Sequence, residues 1–300
     1  MLNTNLISSP ERNCWLDMGD GKSATLVAIA KNEGRYITEW IAYNFAIGFD
    51  KIIVFVNDSI DDMTDIINSI QRTNKNLSHI VWPAQVGISP QVSAYNEAIK
   101  HVNTDWICFL DIDEFLVPFR DGGLKQFLHR IPADVSSVHI NWRNFGSSGL
   151  TGTDYGLVTE AFTRCALPAW GNHFHFKSIA RRAFVTDVHI HDIGTSQGKR
   201  TLSDFSEFSM PVRGIADRIV YDGIQINHYQ AKTFQEFCER MKRGDANFAM
   251  SQPREHSLER FRELDRNEDE DLKIHAFNDK LKAKHSELQE ELEKYLPRKS

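Results

Sequence analysis

Asp111, Asp113 and Glu114 follow directly on the apolar run Trp106-Ile107-Cys108-Phe109-Leu110, and chemistry is to be expected at that junction. A continuous apolar run reads as a strand buried on both faces, usually in a parallel sheet. Bare carboxylates are costly to bury, so the acidic residues belong where the strand leaves the sheet, at its carboxyl end. Ligands of open α/β sheets bind at that edge. Asp111 and Asp113 stand two positions apart and share a face in extended chain. Carboxylates so placed suit a hard divalent cation that also holds phosphate oxygens. The plainer reading is an acidic loop that only keeps a strand end in water.

Other strand ends have to bring partners to the same edge. Residues 24–30 form an apolar strand that ends at Asn32-Glu33-Gly34, and residues 51–56 form a second that ends at Asn57-Asp58-Ser59. Between them Tyr36, Trp40, Tyr43 and Ile47 recur at helical spacing, closed by Gly48. A helix over 62–70, a short strand over 79–82 and a helix over 91–101 lead into the acidic strand. Strands alternating with helices imply a parallel sheet with covered faces. Asn32, Asp58 and Asp111 then emerge at one edge and line one crevice. Asp58 has a second reading as a helix N-cap, because Asn-Asp-Ser precedes a helix.

Residues 137–142 and 174–185 read as further strands, separated by a glycine- and serine-rich segment over 145–156. A short strand-containing stretch over 217–227 leads to His228, and the chain turns helical from 233. From 255 it is dense in Glu, Lys and Arg, with Leu281, Leu288, Leu292 and Leu296 on one helical stripe. That stripe is expected to pack on the domain, with a homodimer contact as the alternative. His173 with His175, and His189 with His191, would each share one face of an extended strand as a candidate metal pair. Neither pair has the Cys or carboxylate partners of a structural zinc site.

At 300 residues the chain can bury a sizeable core, as one large α/β domain or a domain with an appendage. A formal net charge of -6 argues against nucleic acid as a partner. No apolar stretch reaches the length that spans a membrane, which leaves only peripheral membrane contact open. Residues 1–21 are polar and lack the apolar core of a signal peptide. Cys14, Cys108, Cys165 and Cys238 are scattered without a C-x-x-C pair, which suits reduced thiols and a cytoplasmic location.

Several short stretches go together. They are Ala30-Lys31-Asn32-Glu33 with Tyr36, Glu39 and Trp40; Asn57-Asp58-Ser59; Asn96; and Phe109-Leu110-Asp111-Ile112-Asp113-Glu114-Phe115. Residues 141–149, Lys177-Ser178-Ile179, and Asn227-His228-Tyr229 with Lys232 complete the set. In this order they resemble the GT-A glycosyltransferases, in the bacterial group similar to families 2 and 92, over about residues 25–244. The resemblance implies an α/β fold, a Rossmann-like mixed sheet with helices on both faces and a C-terminal helical tail. It divides the chain into an N-terminal extension over 1–23, a glycosyltransferase domain over 24–244 and a helical segment over 245–300.

The same resemblance implies a Mn2+ or Mg2+ ion that clamps the diphosphate of a nucleotide sugar, a UDP-sugar first. The metal set would be Asp111, Asp113 and His228, with Asp113 binding directly and Asp111 reaching ribose or a metal-bound water. His191 is the reserve for His228. Asp58 would hold base or ribose, Asn32 and Glu33 would line the donor pocket, and Lys232 would neutralise the diphosphate as a point charge. Asn96 divides evenly between donor binding and a structural hydrogen-bonding role.

Inverting transfer needs a carboxylate to take the proton of the attacking hydroxyl. The family places that base after the acidic motif, where Glu160 is the first candidate and Asp154 the second; a surface position is the other reading of Glu160. Trp142 and Arg143 would line the acceptor site or lie in the core. The expected function is metal-dependent, inverting transfer of a sugar to the hydroxyl of a glycan or other acceptor, as in polysaccharide biosynthesis. A nucleotidyltransferase acting on a sugar phosphate is an alternative. Asn32-Glu33-Gly34 opposes it, standing where a glycine-rich basic phosphate loop would be needed. An inactive nucleotide-sugar-binding protein is the non-enzyme alternative, opposed by intact Asp111, Asp113 and His228.

Overall fold

The computed structural model describes residues 22–242 and 258–296. Strand β1 (Ala24–Ala30) is buried along its whole length, as an uninterrupted apolar sequence requires of a central strand. It lies parallel to β2 (Lys51–Val56), and β3 (Leu77–Val81) continues beyond β2 in the same direction. On its other side β1 pairs in parallel with β4 (Trp106–Phe109). Helices α1 (Gly34–Ile47), α2 (Met63–Gln71) and α3 (Pro90–Ala98) make the crossovers. Helix α1 stops at Gly48, whose φ of 115° turns the chain left-handed so that its N–H reaches the Asn44 and Phe45 carbonyls. Helix α3 starts with Pro90 in its first turn, and Ser89 Oγ accepts the Val92 N–H at 3.3 Å.

The chain then runs through β5 (Glu114–Val117), α4 (Leu124–Arg130), β6 (Val135–Asn144), α5 (Val158–Ala161), β7 (Arg164–Cys165) and β8 (Phe176–Arg181). A hairpin of β9 (Val185–Val188) and β10 (Ile193–Thr195) follows, then β11 (Lys199–Leu202), β12 (Gln225–His228) and α6 (Phe234–Lys242). Helix α7 (Leu258–Leu264), β13 (Asp269–Glu270) and α8 (Asn278–Tyr295) complete the described chain. The main sheet has the order β3-β2-β1-β4-β8-β6-β12-β5, with β11 also on β6. Strand β8 runs antiparallel to β4 and to β6, and β5 antiparallel to β12; the other pairings are parallel. Because β8 runs against β4, the start of β8 meets the end of β4. Lys177 and Asp111 are thereby delivered to the same edge.

Alternation along β1 divides the core. Leu26 and Ala28 face a cluster that includes Trp40 and Tyr43 of α1, while Val27 and Ile29 face one that includes Ala94 and Tyr95 of α3. Leu281, Leu288 and Leu292 of α8 belong to the first cluster, so the tail packs on the domain. The division expected between 244 and 245 therefore marks no break in the core. The expected extension lies almost wholly outside the described residues, as does 243–257. The strand expected over 174–185 is shorter, because 3₁₀ turns at Gly171–Phe174 and Arg182–Phe184 flank β8. No described helix is long and apolar enough to cross a membrane. The result is the α/β arrangement that the GT-A resemblance implied, a mixed sheet with helices on both faces and a C-terminal helix.

Candidate functional site

The acidic end of β4 splits into two arrangements. In the first, Asp111 Oδ1 accepts Gln91 Nε2 at 2.8 Å and the Tyr95 hydroxyl at 3.1 Å, while Oδ2 pairs with Lys177 Nζ at 3.0 Å. Lys177 also faces Glu114 Oε2 at 3.5 Å, with its side chain only 1% exposed. Burial alone would lower the Lys177 pKa, but Asp111 and Glu114 outweigh it and raise the value. Glu114 Oε2 accepts the Asp111 N–H at 3.0 Å, and burial pushes the Glu114 carboxyl well above the usual carboxylate range despite Lys177. Trp40 Nε1 donates to the carbonyls of Asp111 and Glu114, both at 3.1 Å, and so pins the turn between β4 and β5.

In the second arrangement Asp113 Oδ2 lies 3.6 Å from His228 Nε2 and 3.1 Å from Arg240 Nη1. Its carbonyl accepts the Tyr229 N–H at 2.8 Å, which ties the acidic turn to the end of β12. Burial would raise the Asp113 pKa, yet His228, Lys232 and Arg240 overcome it and hold the carboxyl well below its ordinary value. The His228 ring lies 4.3 Å from that of Trp142, with Nδ1 at 3.3 Å from Asn144 Nδ2 and Nε2 facing Asp113.

Two bonds of about 2.1 Å, to an imidazole nitrogen and a carboxylate oxygen, can span a gap of that size. The donor set thus fits an ion that completes its shell with phosphate oxygens and water, as Mg2+ commonly does. It does not fit an all-protein cage, since no three His, Cys, Asp or Glu converge on one point among the described residues. Asp111, Asp113 and His228, expected to bind metal together, do not converge on one point: His228 faces Asp113 alone. Lys177 draws Asp111 away as its own counter-ion.

At the ends of β1, β2 and β12, Asn32 at φ 55°, Asp58 at 44° and Lys232 at 49° hold left-handed backbone. Such conformations cost of order 1–3 kcal/mol each and gather at functional sites. Asn32 Oδ1 accepts the Ile60 N–H at 2.7 Å, and Asn32 N–H donates to Ser59 Oγ at 3.0 Å, so the ends of β1 and β2 are stitched together. Asp58 Oδ2 accepts the Ala84 N–H at 3.1 Å. It does not cap α2, whose N-cap is Asp62. Beside Glu33, Gly34 N–H donates to Asp61 Oδ2 at 2.8 Å, and a Cβ on Gly34 would push the Asp62 carboxylate aside. Lys232 Nζ sits 4.4 Å above the Tyr36 ring, and burial lowers its pKa against the pull of Asp113 and Glu33. Lys232, Arg240, Tyr36 and Glu236 are among the residues lining a small, shallow crevice.

Other expected residues are placed elsewhere. Asn96 donates to the carbonyls of Val92 and Val188, each at 2.7 Å, and accepts the Val188 N–H at 3.0 Å, which makes it a clamp on β9. Glu160 pairs with Lys282 at 2.6 Å and accepts from Asn278 at 3.1 Å, so its carboxylate serves the docking of α8. Asp154 is exposed. Arg143 alternates with Trp142 along β6 and therefore faces away from His228, pairing with Asp269 at 2.6 Å. Trp142 keeps its face toward the site, with His175 stacked at 5.0 Å, His191 at 5.2 Å and its indole N–H unpartnered.

The expected histidine pairs are not strand pairs. His173 lies in a 3₁₀ turn and His189 and His191 outside any strand. His191 is half-buried beside Trp142, where desolvation pushes its pKa down to about 2; the ring facing Asp113 is that of His228. Sequence reasoning assigned no role to Gln91, Arg240 or Glu236, and quoted Lys177 without one. Glu236 is 3% exposed and accepts from Tyr36 at 2.7 Å, from Tyr155, and from the Thr233 hydroxyl at 2.9 Å. The one advance signal for it was Thr233 three residues before Glu236, the spacing of a capping box.

The fold and site define an α/β protein whose charged crevice opens at the carboxyl edge of its parallel strands. The chain belongs to glycosyltransferase family 92, which it matches over residues 29–272. A family 92 protein of Ricinus communis is 24% identical over 241 residues, covering 78% of this chain and 40% of that protein. One from Oryza sativa subsp. japonica is 27% identical over 162 residues, covering 53% of this chain and 27% of that protein. The matches thus span less than half the length of these curated relatives. Among solved structures, S. aureus TarS 1-349 in complex with UDP-GlcNAc is similar at 16% identity and a TM-score of 0.34, over 54% of this chain and 46% of that one. A likeness that slight bears no weight beside the family match.

Proposed function

We propose that the chain is a metal-dependent glycosyltransferase that moves a sugar from a nucleotide-sugar donor, a UDP-sugar first, to a hydroxyl acceptor such as a glycan. The observation that carries this reading is the convergence at Asp113, in a chain of this family, of His228 at 3.6 Å with the cations Lys232 and Arg240. A bound Mn2+ or Mg2+ would offset the charge that grows on the departing diphosphate. Asp113 and His228 would hold that ion. Lys232, fixed over Tyr36, supplies a preorganised positive charge for the diphosphate oxygens. Asn32, Glu33 and Asp58, at the ends of β1 and β2, would hold the nucleoside. Asp111, locked by Gln91, Tyr95 and Lys177 yet 32% exposed, offers a fixed carboxylate to a ribose hydroxyl. Trp142, whose ring packs against that of His228, would line the acceptor side of the site. Glu160, tied to α8, is not retained as the base.

A thermal-shift panel of nucleotide sugars with and without Mn2+ tests the proposal, since a ligand that binds the native state raises the melting temperature by mass action. One nucleotide class should shift the melt only when metal is present. Asp113→Asn should remove the metal-dependent part of that shift. A panel with no shift under any condition would rule the reading out.

A further inference from the structure

We infer that Arg240 is an internal counter-ion, standing in for the metal at Asp113 until a diphosphate draws it away, so that metal and donor bind cooperatively. The inference rests on the reading of Asp113 and His228 as the metal pair. Arg240 Nη1 lies 3.1 Å from Asp113 Oδ2, the same oxygen that faces His228 Nε2 at 3.6 Å. An ion bound between that oxygen and the imidazole would therefore sit a few ångströms from a guanidinium. Lys232 adds another positive charge that acts on Asp113.

A guanidinium cannot shed its proton, so it cannot yield by titration and has to move. Metal alone exchanges one cation for another at Asp113 and strands Arg240 beside it, which like-charge repulsion disfavours. A diphosphate changes the balance, because its oxygens accept Arg240 and Lys232 while sharing the ion. Arg240 is free to swing outward: its side chain is 24% exposed at the mouth of a shallow crevice that Lys232 also lines, with the Phe237 ring 5.7 Å from its guanidinium carbon. Coupling of this kind is reciprocal, so metal tightens diphosphate binding by the factor that diphosphate tightens metal binding.

The test is titration of the intact chain with Mn2+ alone, followed by the paramagnetic resonance of the free ion, and then titration with UDP at saturating Mn2+. Arg240→Gln and Arg240→Ala should each bind Mn2+ alone up to about fivefold more tightly than the parent, the range a partly exposed ion pair is worth. Both should bind UDP more weakly in saturating Mn2+, and the coupling between the two ligands should shrink. A structural role for Arg240 would weaken both ligands together; unchanged or weaker Mn2+ binding in both variants, with normal melting curves, overturns the inference. Asp113→Asn separates the two levels of argument. If it binds Mn2+ as the parent does, the metal pair itself is misassigned, whatever Arg240 does.

Discussion

At Lys177 the fold sets an ammonium between Asp111 at 3.0 Å and Glu114 at 3.5 Å, with the Lys177 and Glu114 side chains 1% and 0% exposed. Removing one partner of a buried ion pair leaves the other uncompensated, and Lys177→Met should cost about 3–5 kcal/mol of stability in urea unfolding. Adding Asp111→Asn should restore part of the loss, because the carboxylate paired with Lys177 is then no longer a stranded charge. Failure of the second substitution to recover anything would point to packing rather than charge. His173 carries the pH dependence. Its Nε2 accepts the Asn144 N–H at 3.0 Å, and Nδ1 lies 3.1 Å from the Pro168 carbonyl, so the fold holds the neutral ring. Burial pushes its pKa down to about 4, below the ordinary value of 6.5. The sign follows: the stabilisation is whole above about pH 6.5 and is lost as pH falls toward 4, by an amount on the order of a few kcal/mol. Urea midpoints of the parent should drop across that window more steeply than those of His173→Asn, and parallel pH profiles would refute the assignment.

At the scale of elements, the apolar runs and helical spacings were legible because each repeats a local rule. Strands β1, β2 and β4, the helix closed by Gly48 and the leucine stripe of α8 all lie where period and punctuation place them. Leu288, 1% exposed in the core shared with α1, should cost about 2–5 kcal/mol when cut to Ala. A loss below that range in chemical denaturation would mean the helix only rests on the surface. What could not be read locally was direction. Lys177 reaches Asp111 because β8 runs against β4, and Arg143 leaves the site because neighbours on a strand face opposite ways. Glu160 looked available as a base until α8, more than a hundred residues later, brought Lys282 against it.

For the molecule as a whole, the proposed metal site at Asp113 and His228 would be completed by a ligand rather than by protein alone. Removing divalent metal with EDTA should therefore leave the melting temperature of the donor-free protein unchanged. The same treatment should abolish the shift produced by a nucleotide sugar. A large destabilisation by EDTA alone would indicate a structural metal. The sequence by itself determined the α/β alternation, the acidic edge of the sheet and the family likeness, since strand ends and their polar residues follow from patterns a few residues long. Only the tertiary structure decided how the carboxylates divide. Asp111 became the partner of a buried lysine and Asp113 the partner of His228 and Arg240, because charges pair through space. Their positions along the chain do not say which cation the fold will bring within 4 Å.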